Sequence, residues 1–243
     1  MGAIMGVVRS QAVAATTTAV SRLMTDGLSL PQLRDESGAL CFQTWNTARV
    51  TDFSDMFRGA SVFSQPIGGW DTSSATDTRG VLFNAWVFDQ PLDEWNTSRV
   101  TTMSGMFYDA AAFDQPVGSW DTSQVTDMSW MFHLASVFNQ DIGAWSTGRV
   151  TDMSGMFASA KIFDQDIGHW NVTGITKIGT MFSHVALSTA NYDALLNGWA
   201  SQAVHPNLVL DAGTSTYSAA GATARDTLIT THGWIIVDGG LAT

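Results

Sequence analysis

Four aspartates, Asp52, Asp77, Asp127 and Asp152, share one position of a 25-residue step that Thr102 and Lys177 interrupt. Carboxylates stacked at that interval repel one another, and a hard cation such as calcium would relieve the repulsion. The competing reading is capping. Each Asp precedes an apolar run, where its oxygen can accept backbone N–H groups and favour the start of a short helix. Arg49, Arg99 and Arg149, in alternate copies, offset part of the same repulsion. Capping is the simpler account, so no metal ligand is assigned. Two threonine rows raise a different possibility. Thr51, Thr76, Thr101, Thr126, Thr151 and Thr176 form one, and Thr47, Thr72, Thr97, Thr122 and Thr147 the other. Regular Thr arrays can match an ice lattice, but these rows lie four residues apart rather than the two of a single strand face. Hydroxyls bonded to backbone within a turn explain them more simply.

A search for catalytic machinery finds none. The chain has no G-x-G-x-x-G, Walker, H-E-x-x-H or G-x-S-x-G motif. His133, His169, His184, His205 and His232 share no ligand spacing. The single cysteine, Cys41, permits neither an internal disulfide nor a cysteine zinc site, and is expected to pack in the first repeat. Eleven basic against twenty-two acidic residues give a net charge of −11. That balance argues against nucleic acid and anionic lipid as partners. No apolar stretch approaches the ~18 residues of a membrane span. The start, MGAIMGVVRSQAVAATTTAV, lacks a basic segment leading into a clean apolar run, and Gly6 stands where myristoylation wants Ser or Thr. A non-enzyme without cofactor or metal is expected.

These residues are positioned by a repeat. The 243 residues are 45% hydrophobic, with ten Trp, thirteen Phe, eleven Met and twenty-two Gly. Trp45, Trp70, Trp95, Trp120, Trp145 and Trp170 fall 25 residues apart, as do Phe63 to Phe163 and Gln65 to Gln165. A unit this short cannot bury its own apolar face, and stacking copies solves the problem. The pattern predicts a solenoid over residues 42–187. Paired strands would give a rise of roughly 4.8 Å per copy. Within a unit, Val100, Met103, Met106, Phe107, Ala110 and Phe113 follow spacings of three and four, which predicts a short helix. The extended segment from Gln115 to Trp120 predicts a short strand, placing a parallel sheet along one wall. Asn46, Asp71, Asn96, Asp121, Ser146 and Asn171 follow the Trp and suit a repeated side-chain turn.

The segments FNQDI (Phe138–Ile142) and WDTSQVTDMSWMF (Trp120–Phe132) resemble the BspA-like leucine-rich-repeat surface proteins, including the mycoplasma lipoprotein-type repeat of unknown function. YDALLNGWA and GWIIVDGG, between Tyr192 and Gly240, are similar to that family's closing segment. The resemblance implies right-handed, leucine-rich-repeat-like coils, an extracellular or cell-surface location, and attachment to proteins and host surfaces. It carries over no catalytic residue. The second copy departs from the pattern, since Asp77–Phe83 reads DTRGVLF instead of D-M-S-x-M-F.

Residues 1–41 lack the period and are expected to cap the first coil, with a helix in Gln11–Leu23 and a turn followed by a helix start in Leu28–Glu36. Residues 188–243 are expected to form a small α/β cap: a helix over 191–200, a strand over 208–211, a helix over 220–231 and a strand over 234–237. Repeated positions build the coil, so binding residues are sought where copies differ. Trp130 stands among Asp55, Gly105, Gly155 and Thr180, and Trp86 among Ser61, Ala111, Ser136 and Lys161. Tyr108 and His133 occupy the position of Arg58 and Ala158. Bulky aromatics at small or polar positions serve protein hot spots or sugar stacking when exposed, or else pack on a neighbouring coil. The candidate binding residues are therefore Trp86, Tyr108, Trp130 and His133, with the Arg49, Arg99 and Arg149 stripe as a second surface. The expected function is recognition or adhesion toward protein on a cell surface or matrix. Glycan binding through the aromatics and ice binding through the Thr rows are the alternatives.

Overall fold

The computed structural model describes Phe42 and residues 45–243. The expected N-terminal cap and Cys41 lie outside the described residues. From Trp45 to Leu187 the chain runs as successive 25-residue units joined in parallel by single-residue bridges, Asp52 to Asp77, Asp77 to Thr102, and on to Lys177.

The helix and strand expected in each unit are absent from this region, and the hydrogen bonds show why. In the third unit the N–H groups of Met103, Gly105, Phe107 and Asp109 donate to Asp127, Ser129, Met131 and His133 of the next unit, at 2.7–3.0 Å. The residues between them turn inward instead: Met106, Tyr108 and Ala110 donate to carbonyls three positions back. An α-helix needs every N–H for its own i−4 carbonyl, and here alternate ones serve the neighbour. The result is a string of tight turns. Gly105 and Asp109, with φ of 60° and 53°, take the left-handed conformation that a type II turn requires at its third residue. The spacing of three and four still selects the core, because Val100, Met103, Met106, Phe107, Ala110 and Phe113 are fully buried.

The repeated side chains hold one unit to the next. Trp95 stacks on Trp120 at 6.5 Å and 11°, and Trp145 on Trp170 at 6.3 Å and 7°. Each indole also donates its Nε1–H to a carbonyl 28 residues earlier, as Trp120 does to Leu92 at 3.0 Å. The buried hydroxyls of Thr72 and Thr97 donate forward to the carbonyls of Asn96 and Asp121. The exposed hydroxyls of Thr101 and Thr126 donate back to the carbonyls of Thr76 and Thr101. Both threonine rows thus bond between units rather than within a turn. Where backbone pairing lapses, side chains bridge the gap: Asp114 N–H donates to Asp89 Oδ1, and Asn139 N–H to Asp114 Oδ1. After Trp, Asn46, Asp71, Asn96, Asp121 and Asn171 form the expected side-chain turns, with Ser123 N–H donating to Asp121 Oδ1 at 2.9 Å.

The last unit is covered by α1 (Thr189–Ala200), β1 (Val209–Asp211), α2 (Ala219–Thr230) and β2 (Ile235–Val237), with β1 and β2 parallel. Tyr192, Leu195, Leu196 and Trp199 of α1 are buried at the spacing read from the sequence. Trp199 extends the indole series by donating to Ile167 at 3.3 Å, and Phe182 N–H donates to Asp211 of β1 at 3.0 Å.

The join between the last unit and α1 is close enough to need glycine. A Cβ on Gly168 would sit 2.4 Å from the Ala194 carbonyl oxygen, and one on Gly198 would sit 2.0 Å from that of Gly168. Gly168→Ala is therefore expected to lower stability by about 1–3 kcal/mol in urea denaturation, as overpacked sites do. Gly69→Ala, where a Cβ meets nothing within 4 Å, should stay within about 0.5 kcal/mol of wild type.

Candidate functional site

Among the described tryptophans of the units, the repeated ones are at most 4% exposed, whereas Trp86 is 49% and Trp130 38% exposed. Trp130 closes one end of a groove of about 470 Å³ whose other residues include Asp55, Arg58, Arg79, Gly80, Phe83 and Tyr108. The groove follows from one column of the repeat. Asp55, Gly80, Gly105 and Trp130 succeed one another at the same position. The Asp55 carboxylate leans over Gly80, where a Cβ would come within 2.4 Å of its Oδ1, and Gly105 leaves the space between that acid and the indole open.

Arg58, Phe83, Tyr108 and His133 form the adjacent column. The Arg58 guanidinium lies 3.7 Å from the centroid of Phe83. Phe83 stacks on Tyr108 at 4.1 Å and 5°, and His133 tilts against Tyr108 at 4.5 Å. Trp130 meets His133 edge-on at 5.2 Å. The broad faces of Phe83 and Tyr108 are thus occupied by each other and by their flanking neighbours. On one side, the six-membered ring of Trp130 lies against Gly155, where an added Cβ would come within 2.4 Å of its carbons.

The charges lining or bordering this groove are balanced. Arg58 pairs with Asp55 at 3.0 Å, and Arg79 grips Asp77 through Nε and Nη2, the latter at 2.6 Å. That pairing raises the Arg79 pKa further above its ordinary value. His133 is pushed the other way. Burial lowers its pKa, against the opposing pull of Asp109, and its Nδ1 is buried without a hydrogen-bond partner. The imidazole behaves as a wall behind Tyr108 and Trp130.

The candidate binding residues separate into three groups. Tyr108 and Trp130 line the groove, and His133 backs both. Trp86 stands apart from the lining, with its Nε1–H donating to Asp109 Oδ2 at 2.8 Å, which ties it to the residue next to Tyr108. Arg49, Arg99 and Arg149 are exposed but do not line the groove. The aspartate row is occupied in turns: Oδ1 of Asp52, Asp127 and Asp152 accepts the N–H two residues on at 2.8–2.9 Å. Each caps a turn rather than the helix expected. Asp55, Arg58, Arg79, Gly80 and Phe83 were not singled out. For Arg79, Gly80 and Phe83 the signal lay in the irregular second copy, where Leu82 takes the phenylalanine position of the core and Phe83 stands one residue further out; Asp55 and Arg58 belong to the first copy.

Among the described residues no helix is long and apolar enough to cross a membrane. A family model described as Mycoplasma protein of unknown function, DUF285, matches residues 35–132 and 112–207. No curated protein and no solved structure matches the chain.

Proposed function

From the premise that the chain belongs to the DUF285 family of Mycoplasma proteins of unknown function, we propose that it is a non-enzymatic recognition module of a cell surface or of the secreted space. In this reading the units form a right-handed, leucine-rich-repeat-like solenoid of the BspA-like kind, whose wall presents side chains to proteins or glycans of a cell surface or matrix. One observation carries the proposal. The repeated tryptophans and threonines bond between units and the repeated aspartates cap turns, whereas the irregular Tyr108 and Trp130 line a groove that His133 backs. A protein partner is also favoured by the exposed row of Val62, Val87, Val137 and Ile162 beside Trp86, since an apolar strip with an aromatic anchor suits a hot spot. Ice binding is not carried forward, because the Thr47 to Thr147 row is buried and the hydroxyls of both rows bond to carbonyls.

The test is capture on an array of immobilised extracellular proteins and glycans, comparing wild type with a Trp86/Tyr108/Trp130 alanine variant. Capture by wild type, lost in a variant with unchanged melting, is the expected result. Equal capture by both proteins would move the site to the Arg49, Arg99 and Arg149 stripe, and no capture would overturn the recognition reading.

A further inference from the structure

We infer that the groove between Asp55 and Trp130 is a subsite for one neutral pyranose ring, a glycan contact separate from the apolar strip beside Trp86. The inference rests on the recognition reading and adds the chemistry of what is recognised. The groove's volume of about 470 Å³ falls in the ~300–1,000 Å³ range of small-molecule sites. Its polarity is two-sided. Trp130 supplies an aromatic surface braced from behind by Gly155. Across the glycine gap, Asp55 offers a hydrogen-bond acceptor, Arg58 and Arg79 offer donors, and Ser104 and Tyr108 line the space between.

Other ligands leave part of this lining unanswered. An anion meets guanidiniums already paired with Asp55 and Asp77, on a chain of net charge −11. A cation meets two arginines. A partner's phenyl ring would pack on Trp130 but strip water from Asp55 and Arg79 without replacing its hydrogen bonds, which is costly. A hexopyranose satisfies both sides. One face of the ring presents C–H groups to the indole, and its rim hydroxyls both donate to a carboxylate and accept from guanidinium. Such a ligand brings no net charge to a site whose own charges already cancel.

The test is saturation-transfer NMR on the intact chain with the methyl glycosides of glucose, galactose, mannose and N-acetylglucosamine. The expected result is transfer to the C–H protons of one ring face for at least one glycoside. Trp130→Gly should abolish it, and Asp55→Asn, which keeps an acceptor but loses the charge that strengthens its hydrogen bond, should weaken binding by about tenfold. Both variants suit their backbone: glycine occupies the same position in Gly105 and Gly155, and asparagine tolerates the positive φ of 54° at Asp55. No transfer from any glycoside, with protein capture on the array still lost in the triple variant, would overturn the sugar inference and leave the recognition reading standing. Transfer that persists in folded Trp130→Gly would place the sugar elsewhere and overturn the assignment of this groove. Absence of both transfer and array capture would overturn both.

Discussion

Replacing Trp120 with alanine is expected to cost about 3–5 kcal/mol of folding stability, the usual range for a large aromatic removed from a packed core. The side chain is almost wholly buried, stacks on Trp95 at 6.5 Å and lies 6.1 Å from Phe107. Its loss opens a cavity in the middle of the stack and leaves the Leu92 carbonyl without the Nε1–H donor. Trp120→Phe keeps a ring and loses the hydrogen bond, so it should fall between the two extremes. Trp86→Ala provides the contrast. That indole is half exposed, and its removal should change stability by about 1 kcal/mol or less in the same urea titration. Equal losses at Trp120 and Trp86 would contradict the division between building and presented aromatics.

Asp238→Ala is expected to be as damaging, through charge rather than volume. Its carboxylate accepts from Arg225 Nε at 2.7 Å, from Arg225 Nη2 at 3.2 Å and from the Tyr192 hydroxyl at 2.8 Å. The arginine side chain is 18% exposed and that of the aspartate 3%. Removing one partner of a buried pair strands the other, which costs about 3–5 kcal/mol. Asp238→Asn retains an acceptor for Tyr192 and should recover part of the loss. The same cluster sets a pH dependence. Burial, and then the negative charge of Asp238, raise the Tyr192 pKa far above the ordinary phenol value. A phenol whose folded pKa is raised contributes its full stability below the unfolded value of about 10. That contribution declines as the pH rises from there through the folded value. Denaturant midpoints measured from pH 8 upward should therefore fall beyond about pH 10.

The repeat could be read because each column tolerates few residue types. A position filled by Trp from Trp45 to Trp170 states that the same contact is made each time. The secondary structure could not be read as easily. Spacings of three and four arise from a helix and equally from a string of turns, and the difference lies in which carbonyl each N–H finds. The left-handed positions that mark the turns are occupied by Asp55, Gly80, Gly105, Trp130, Gly155 and Thr180, too varied a set to suggest one conformation. In the cap the helical spacing of Tyr192, Leu195, Leu196 and Trp199 had no such rival, and α1 begins two residues before the expected start.

The groove was half legible. Trp130 and Tyr108 stood out because they are bulky aromatics in columns that also hold small or polar residues. Gly80 and Gly105 contribute by lacking a side chain, which is invisible until the neighbouring column is known. Phe83 appeared only as a disturbance in the second copy, since its role depends on the ring of Tyr108 one unit away. The Arg49, Arg99 and Arg149 stripe shows the opposite limit. Regular charge is easy to see in a sequence, yet these side chains lie away from the groove.

The central claim is that repeated groups hold each unit to the next, which frees the irregular ones for recognition. Amide hydrogen exchange on the intact chain tests it most directly. The slow amides should alternate: those of Met103, Phe107, Met128 and Phe132, which donate to the following unit, should exchange together and only with unfolding of the stack. Contiguous protection through 103–110 with no coupling between units would indicate independent helices, and would contradict the account.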